Sequence, residues 1–344
     1  MNLLMITRKV DKNDALAGFT YGWVKEMARN LDKLYVITWQ KSDSSGLPDN
    51  VEVISLSGSK WKKFFVIKWK ALKLLSKVDG VFCHMNPEYT ILVGPCARLR
   101  GKRVVSWYTH RSVTIRRRIL ELLAHRIVTA SNKSFRNPWF VKKVEAIGHG
   151  INTDFFKPND QIEKRDGFNI VSVGRISPTK DYESIIKAVD ELDDKRINFK
   201  IIGDVILNHQ KKYLETLKMV AKAMKIDDQV EFTGWVANSE MVPYYQEADL
   251  FINMSGTGSV DKVVLEAMAS GCIVLTSNEA FAKIIPSELM VEKDNPSALA
   301  KKIKWVMELS IEDKKDYVSR LREIVVKSHN LPNLAKKLIK QFDA

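Results

Sequence analysis

Short apolar runs alternate with amphipathic stretches through most of the chain. Leu3 to Thr7 is predicted to be a buried strand, and a polar loop after it reaches Gly18. From Tyr21 to Leu31 the apolar positions recur at helical spacing, and Tyr35-Val36-Ile37-Thr38 predicts the next strand. Further strands are predicted at Val51 to Leu56, Gly80 to Cys83, Arg103 to Trp107 and Arg126 to Thr129. The pattern then restarts with a strand at Phe168 to Val173, a helix at Tyr182 to Leu192 and a strand at Phe199 to Gly203. A helix from Gln210 to Ala223, a strand at Val230 to Phe232 and a helix around Met241 to Glu247 follow. Leu250 to Ile252 and Ile273 to Leu275 are strands flanking a helix at Val263 to Ala269. Strands that alternate with helices of this length indicate parallel βαβ units.

Between the two series, Pro158 to Gly167 crowds Asn, Asp, Glu, Lys and Gly together without apolar periodicity. The predicted fold class is α/β: two Rossmann-like, doubly wound parallel-sheet domains facing across a cleft. Their expected bounds are 1–158 and 167–328, with a C-terminal helix in 329–344 packing back on the first domain. Ligands are expected at the carboxyl ends of the strands. No tandem repeat or low-complexity tract interrupts this organisation.

Length and composition agree with two globular domains: 344 residues, 45% hydrophobic and 28% charged. Charge adds something new. Lys and Arg number 55 against 41 Asp and Glu, a net charge of +14 that implies an anionic partner. No helix-turn-helix, zinc or RNP-like motif accompanies it, so nucleic acid is not the expected partner. Cys83, Cys96 and Cys272 form no Cys-x-x-Cys pair and are odd in number, which fits a reducing, cytoplasmic setting and three small buried hydrophobes. The apolar start of the chain is followed by Arg8-Lys9, the wrong order for a secretory signal, and no run approaches the roughly 20 apolar residues of a membrane span. The expected localisation is cytoplasmic, with attachment at most to the inner membrane face.

Two segments carry candidate chemistry. Strand Ile170 to Val173 leads into Gly174-Arg175-Ile176-Ser177-Pro178-Thr179-Lys180. Arg175 offers a planar fork for phosphate oxygens and Lys180 a mobile point charge, both at a strand's carboxyl end. Pro178 suits the first turn of the coming helix, whose N–H groups favour an anion. As plain surface features the two would be solvated cations on a loop. The second segment is a small-residue loop, Ser255-Gly256-Thr257-Gly258-Ser259, which passes through Val260, Asp261 and Lys262 into a helix closed by Ser270-Gly271. Such a loop lets backbone approach a ligand, and consecutive amides form an anion-binding nest. Glu266, one turn into that helix, is placed to accept hydrogen bonds from sugar hydroxyls. Its apolar neighbours Leu265, Ala267 and Met268 argue against a plain surface carboxylate.

Val173-Gly174-Arg175 with Lys180, Phe232-Thr233-Gly234 and Leu265-Glu266-Ala267-Met268-Ala269-Ser270-Gly271 together resemble glycosyltransferase family 4, which has the GT-B fold. In the first half, Ile147 to Phe156 is similar to the family's segment before the interdomain linker, and Val128-Thr129-Ala130-Ser131 to the strand and serine preceding it. The resemblance implies a retaining, hexosyltransferase-like enzyme. It would use a nucleotide-sugar such as a UDP- or GDP-sugar as co-substrate, with no resident cofactor and no metal. Arg175 and Lys180 would neutralise the departing diphosphate, a role consistent with preorganised charge aimed where charge develops. Glu266 would hold the nucleotide ribose, and Gly18 would let the N-terminal domain approach the diphosphate. Val236, beside Trp235, lies where base contacts are expected. The family commonly has a glutamate eight residues before the one matching Glu266, and that position here is Gly258. Either Asp261 takes over the donor sugar contact, with the Gly258, Ser259 and Val260 amides holding sugar or phosphate, or the site is a catalytically silent nucleotide- or sugar-binding one.

His110 ends the strand-like run Val104 to Thr109, and a histidine at a strand's carboxyl end is expected to face the cleft, where it would bind the donor sugar or influence the leaving group. The matching place in the family often carries a histidine, and the plain alternative is a histidine hydrogen-bonded in a loop. His84 is a weaker candidate near the acceptor side, and His149 reads as structural. His125, His209 and His329 are too dispersed to suggest a metal centre. Lys60 to Lys73 mixes lysines with Trp61, Phe64, Phe65 and Trp69, and Arg111, Arg116, Arg117, Arg118 and Arg126 form a second basic stretch. Two readings of the first stretch stand side by side: an interfacial helix on an anionic membrane surface, or an amphipathic helix packed on the N-terminal sheet with snorkelling lysines. The first implies a lipid-linked sugar or a polyprenyl diphosphate as acceptor.

Overall fold

The structure is a computed structural model that describes residues 1–14, 18–40, 42–159, 161–162, 166–205 and 210–343. It divides into two compact units, Met1–Gly150 with Asn330–Ala344, and Ile151–His329.

The first unit is built from β1 (Asn2–Thr7), α1 (Gly18–Ala28), β2 (Lys33–Thr38), β3 (Val51–Ser55), α2 (Lys60–Leu74) and β4 (Gly80–His84). It continues through α3 (Pro87–Leu99), β5 (Arg103–Trp107), α4 (Ile115–Leu123), β6 (Arg126–Thr129) and β7 (Val144–Ala146). Its sheet has the order β3-β2-β1-β4-β5-β6-β7 and is parallel throughout. The continuous apolar run of β1 follows from burial on both faces. Leu3 and Met5 face a core shared with Trp23, Val24 and Met27 of α1, whereas Leu4 and Ile6 face a core shared with Ile67 and Ala71 of α2 and Val93 of α3. The C-terminal helix Leu331–Lys340 also belongs here: Leu331, Leu334 and Leu338 join the α1 core, and the Gln341 amide donates to Glu145 at 3.0 Å. Within α4, Glu121 is fully buried, accepts from Arg118 at 2.8 Å and from the Trp139 amide at 2.6 Å, and pairs with the fully buried Arg117 at 3.3 Å.

The second unit comprises β8 (Phe168–Val173), α5 (Tyr182–Leu192), β9 (Ile197–Ile202), α6 (Lys211–Ala223), β10 (Val230–Gly234) and α7 (Val242–Glu247). β11 (Leu250–Asn253), α8 (Lys262–Ala269), β12 (Ile273–Thr276), α9 (Pro296–Glu308) and α10 (Ile311–Ser328) complete it. The five parallel strands are ordered β10-β9-β8-β11-β12. The chain therefore winds outward from β8 to β10, then returns to the other side of β8 with β11. Pairing of β8 with β11 covers Leu250 with Ile170 and Phe251 with Val171, so the strands part beyond Val171. A reversal of strand order of this kind leaves a crevice at the carboxyl ends.

The sequence reading ended the first domain at Pro158, and the structure ends it at Gly150. Ile151 and Phe156 are buried in the second core, and Arg322 donates to the carbonyls of Phe156 at 3.1 Å and Thr153 at 3.3 Å. Of the expected join, residues 160 and 163–165 lie outside the described residues.

Candidate functional site

The carboxyl ends of β8 and β11 carry the two segments singled out from the sequence, and both belong to the second unit. The turn after β8 is set by contact with the turn after β9. Gly203 has φ +148°, and a Cβ there would stand 1.9 Å from the Gly174 carbonyl oxygen, so only glycine lets these strand ends meet. The Gly174 carbonyl also accepts from the Tyr182 hydroxyl at 2.9 Å. Arg175 emerges exposed from this turn and pairs with no acid among the described residues. Lys180 lies back over Gly174 and places its Nζ 3.3 Å from Asp261 Oδ2, both side chains being mostly buried.

Pro178 does not open α5 as expected. It starts a separate 3₁₀ turn, Pro178–Lys180, and α5 begins at Tyr182 after Asp181. The Asp181 carboxylate accepts from the Ser184 amide, so the first turn of α5 already has an acidic cap.

The loop after β11 is tied to the first segment by the Gly256 amide, which donates to the Thr179 carbonyl at 3.1 Å. Gly258, where the family-like glutamate is missing, has φ +62°, a conformation that a glutamate would adopt only with strain. Thr257 Oγ1 accepts from Ser255 Oγ at 3.2 Å. Asn278, just past β12 and almost fully buried, holds the remainder of the loop. Its Nδ2 donates to the Ser259 carbonyl at 2.7 Å and to Asp261 Oδ2 at 3.3 Å, and its Oδ1 accepts from the Ala280 amide at 3.1 Å. Val260 is buried beneath the loop.

Asp261 occupies the N-cap position of α8, yet its side chain makes no capping bond. Its carboxylate is turned to Lys180 and Asn278, which leaves the first amides of α8 without a carboxylate acceptor from the cap. Such amides favour an anionic ligand.

One turn further on, Glu266 is buried, with 6% of its surface exposed. Oε2 accepts from the Tyr245 hydroxyl at 3.1 Å and Oε1 from Asn238 Nδ2 at 3.5 Å. Burial raises the Glu266 carboxyl above its ordinary value, against the pull of the neighbouring Lys262 ammonium and the two donors. Burial lowers Lys262 in turn, and Glu266 opposes that shift. Tyr245 is held well above the usual phenol range by burial and by the Glu266 carboxylate, so it remains a donor. Tyr245, Asn238 and Asn278 were not anticipated from the sequence.

Val236 follows β10, half-buried against the same core, beside the half-exposed Trp235. Gly18 and His110 belong to the first unit. Gly18 is the first residue of α1 and not part of a loop; its amide donates to the Asp14 carbonyl at 2.9 Å. His110 is exposed after β5, edge-on to Tyr108 at 5.4 Å, and lines a pocket with Met85, Asn86, Ser112 and Arg116. His84 is a core histidine, its Nδ1 3.0 Å from Thr7 Oγ1, and His149 is buried beside Trp107. His125 Nδ1 accepts from the Val104 amide at 2.9 Å, and His209 lies outside the described residues.

Two doubly wound parallel-sheet domains of this topology have the GT-B glycosyltransferase fold. The chain superimposes along its whole length on HepE from Anabaena in complex with UDP, with a TM-score of 0.80, 14% identity and complete coverage of both chains. Residues 154–323 match the family of glycosyl transferases, group 1, and this stretch holds Arg175, Lys180, Asp261 and Glu266. The chain is 30% identical over 123 residues to the alpha-monoglucosyldiacylglycerol synthase of Streptococcus pneumoniae, covering 35% of this chain and 26% of that protein. It is 28% identical over 142 residues to the mannosylfructose-phosphate synthase of Agrobacterium fabrum, covering 38% and 31%. The chain thus spans about a quarter to a third of the length of these curated relatives.

Proposed function

We propose that the chain is a retaining glycosyltransferase of the family 4 kind, moving a hexose from a nucleotide-sugar donor to a glycan or lipid-linked acceptor. The observation that carries this reading is the meeting at the β8/β11 switch point of two cations, Arg175 and Lys180, with the N-terminus of α8, which the Asp261 side chain does not cap. In the proposed reaction the glycosidic bond to the nucleotide breaks and a bond to an acceptor hydroxyl forms, the acceptor proton leaving to solvent. Negative charge grows on the departing diphosphate, and Arg175, Lys180 and the α8 amides receive it without a metal ion. Glu266, held by Tyr245 and Asn238, accepts from the ribose hydroxyls. Asp261 contacts the donor sugar, the Gly258, Ser259 and Val260 amides lie along it, and Thr257 and Lys262 flank it. Val236 borders the base. Of the first domain's residues, Gly18 is assigned to the diphosphate and His110 to the donor sugar or the leaving group. We assign the protein to the cytoplasm.

HepE was solved with UDP, and one relative is named for a glucosylated diacylglycerol. Those names favour a UDP-sugar first and a lipid acceptor second in any screen. The test is donor turnover with UDP- and GDP-sugars in the wild type, Arg175→Ala and Lys180→Ala. Each substitution is expected to lower the transfer rate by about 10²–10³, with no loss of wild-type rate in EDTA. Unchanged turnover in both variants refutes the assignment. Gly258 motivates a second reading, a silent nucleotide-binding protein: it requires UDP binding with neither transfer nor donor hydrolysis.

A further inference from the structure

Helix α2 has two apolar stripes. Ile67, Ala71 and Leu74 are buried against the sheet, as an amphipathic surface helix requires. On the other side, Trp61, Phe65 and Trp69 stand 75%, 76% and 54% exposed, at i, i+4 and i+8, in one row along the helix. Scattered exposed hydrophobes need no explanation, but a contiguous row of three large rings marks an interaction surface. The helix contains six lysines and no acidic residue, with Lys62, Lys68 and Lys73 exposed beside the rings. The Lys73 ammonium lies 3.6 Å over the Trp69 ring, an attraction that keeps cation and ring at the same level.

The aromatic surface continues inward. Phe64 meets Trp61 at 6.2 Å and Trp39 at 4.9 Å, and the three border a groove of about 650 Å³. Arg8 and Lys60 add positive charge to that groove, and its Glu88 is engaged by Arg116 at 2.8 Å. Arg8 and Trp39 lie directly past the carboxyl ends of β1 and β2.

We propose that α2 docks on an anionic lipid bilayer, with Trp61, Phe65 and Trp69 in the interface and the lysines at headgroup level. Charge complementarity selects this occupant. A second copy applying the same face would set lysine rows against each other, whereas anionic headgroups neutralise them while the acyl boundary receives the rings. A phosphate-bearing amphiphile at such a surface would meet Arg8 and Lys60 in the adjoining groove. The inference stands apart from the donor site, because none of its residues lies in the second unit.

The test is co-sedimentation of the full chain with vesicles of phosphatidylcholine alone or with about one-third phosphatidylglycerol. The wild type is expected to bind the anionic vesicles at least about tenfold more strongly than the neutral ones. The triple variant Trp61→Ser, Phe65→Ser, Trp69→Ser should lose about tenfold or more while keeping the wild-type melting temperature. Arg175→Ala should sediment like wild type, which separates this outcome from failure of the transferase reading. Absence of wild-type binding, or equal binding by the triple variant, overturns the proposal. So does a dimer by light scattering that the triple variant converts to monomer, since the face would then belong to a second copy.

Discussion

Replacing Tyr245 by Phe removes one oxygen atom from the interior of the second domain and tests how Glu266 is held. Tyr245 is fully buried, Glu266 nearly so, and their hydrogen bond is 3.1 Å long. The remaining donor, Asn238 Nδ2, stands at 3.5 Å, too far to compensate. A hydrogen bond to a charged group contributes about 1.5–3 kcal/mol, and the carboxylate is left in place without it. A domain of this size loses about 2–4 °C of melting temperature per kcal/mol, so a fall of about 3–12 °C is expected. Urea denaturation of the wild type, Tyr245→Phe, Glu266→Gln and the double variant gives the rest. In Glu266→Gln the hydroxyl meets a neutral carbonyl, so the same truncation should cost about 1 kcal/mol less there. Strict additivity of the two substitutions would refute the view that Tyr245 acts on the Glu266 carboxylate.

Three further outcomes are expected. Gly203→Ala forces a Cβ into the Gly174 carbonyl and should destabilise the chain by about 2–4 kcal/mol or abolish soluble expression, whereas Gly101→Ala, whose Cβ would meet nothing within 4 Å, should cost only about 1–2 kcal/mol, for its left-handed backbone, φ +66°; both are read by thermal melts. Glu121→Gln strips the buried Arg117 of its carboxylate and should cost about 3 kcal/mol in urea denaturation; a loss under about 1 kcal/mol would show that the pair is solvated. Ellman's reagent at pH 8 should label Cys96 alone in the native chain and all three thiols in denaturant, because Cys83 and Cys272 are buried and burial pushes the Cys83 thiol up to about 12.

The elements most legible in the sequence are those buried on both sides. β1 is covered on two faces, so its run Leu3 to Ile6 is unbroken and announces itself; β8 is as deeply buried and stays legible through Phe168, Ile170, Val171 and Val173 although Asn169 and Ser172 interrupt it. α3 gave no comparable signal because Tyr89, Thr90, Val93, Gly94 and Ala97 are all buried and Pro95 interrupts it. α10 failed for the opposite reason: across its 18 residues only Leu321 and Val325 are buried. β7, three residues long, is too short for any period. In the site, Arg175, Lys180 and Glu266 were readable because the chemistry sits on the residues themselves. Tyr245 and Asn278 were not, since a tyrosine in a short helix and an asparagine after a strand acquire their roles from partners 17 to 21 residues away. For Asn278 one signal existed: it lies just beyond the carboxyl end of a strand that the pattern did predict. The stretch around Trp61 left two readings open because α2 has two apolar stripes, and periodicity cannot separate a packed row from an exposed one.

The C-terminal helix bears on the order in which this protein matures on the ribosome. The second domain, 151–329, is continuous, and every strand and helix it needs has been synthesised before residue 330 is added. The first domain begins to be made earliest and is completed last. Until residues 330–343 arrive, the surface of α1 that Leu331, Leu334 and Leu338 will cover remains open. A chain without residues 330–343 would therefore keep an apolar flank of its first domain exposed. That is a substrate for chaperones, and it also explains in advance why excision at residue 150 should yield an aggregating fragment.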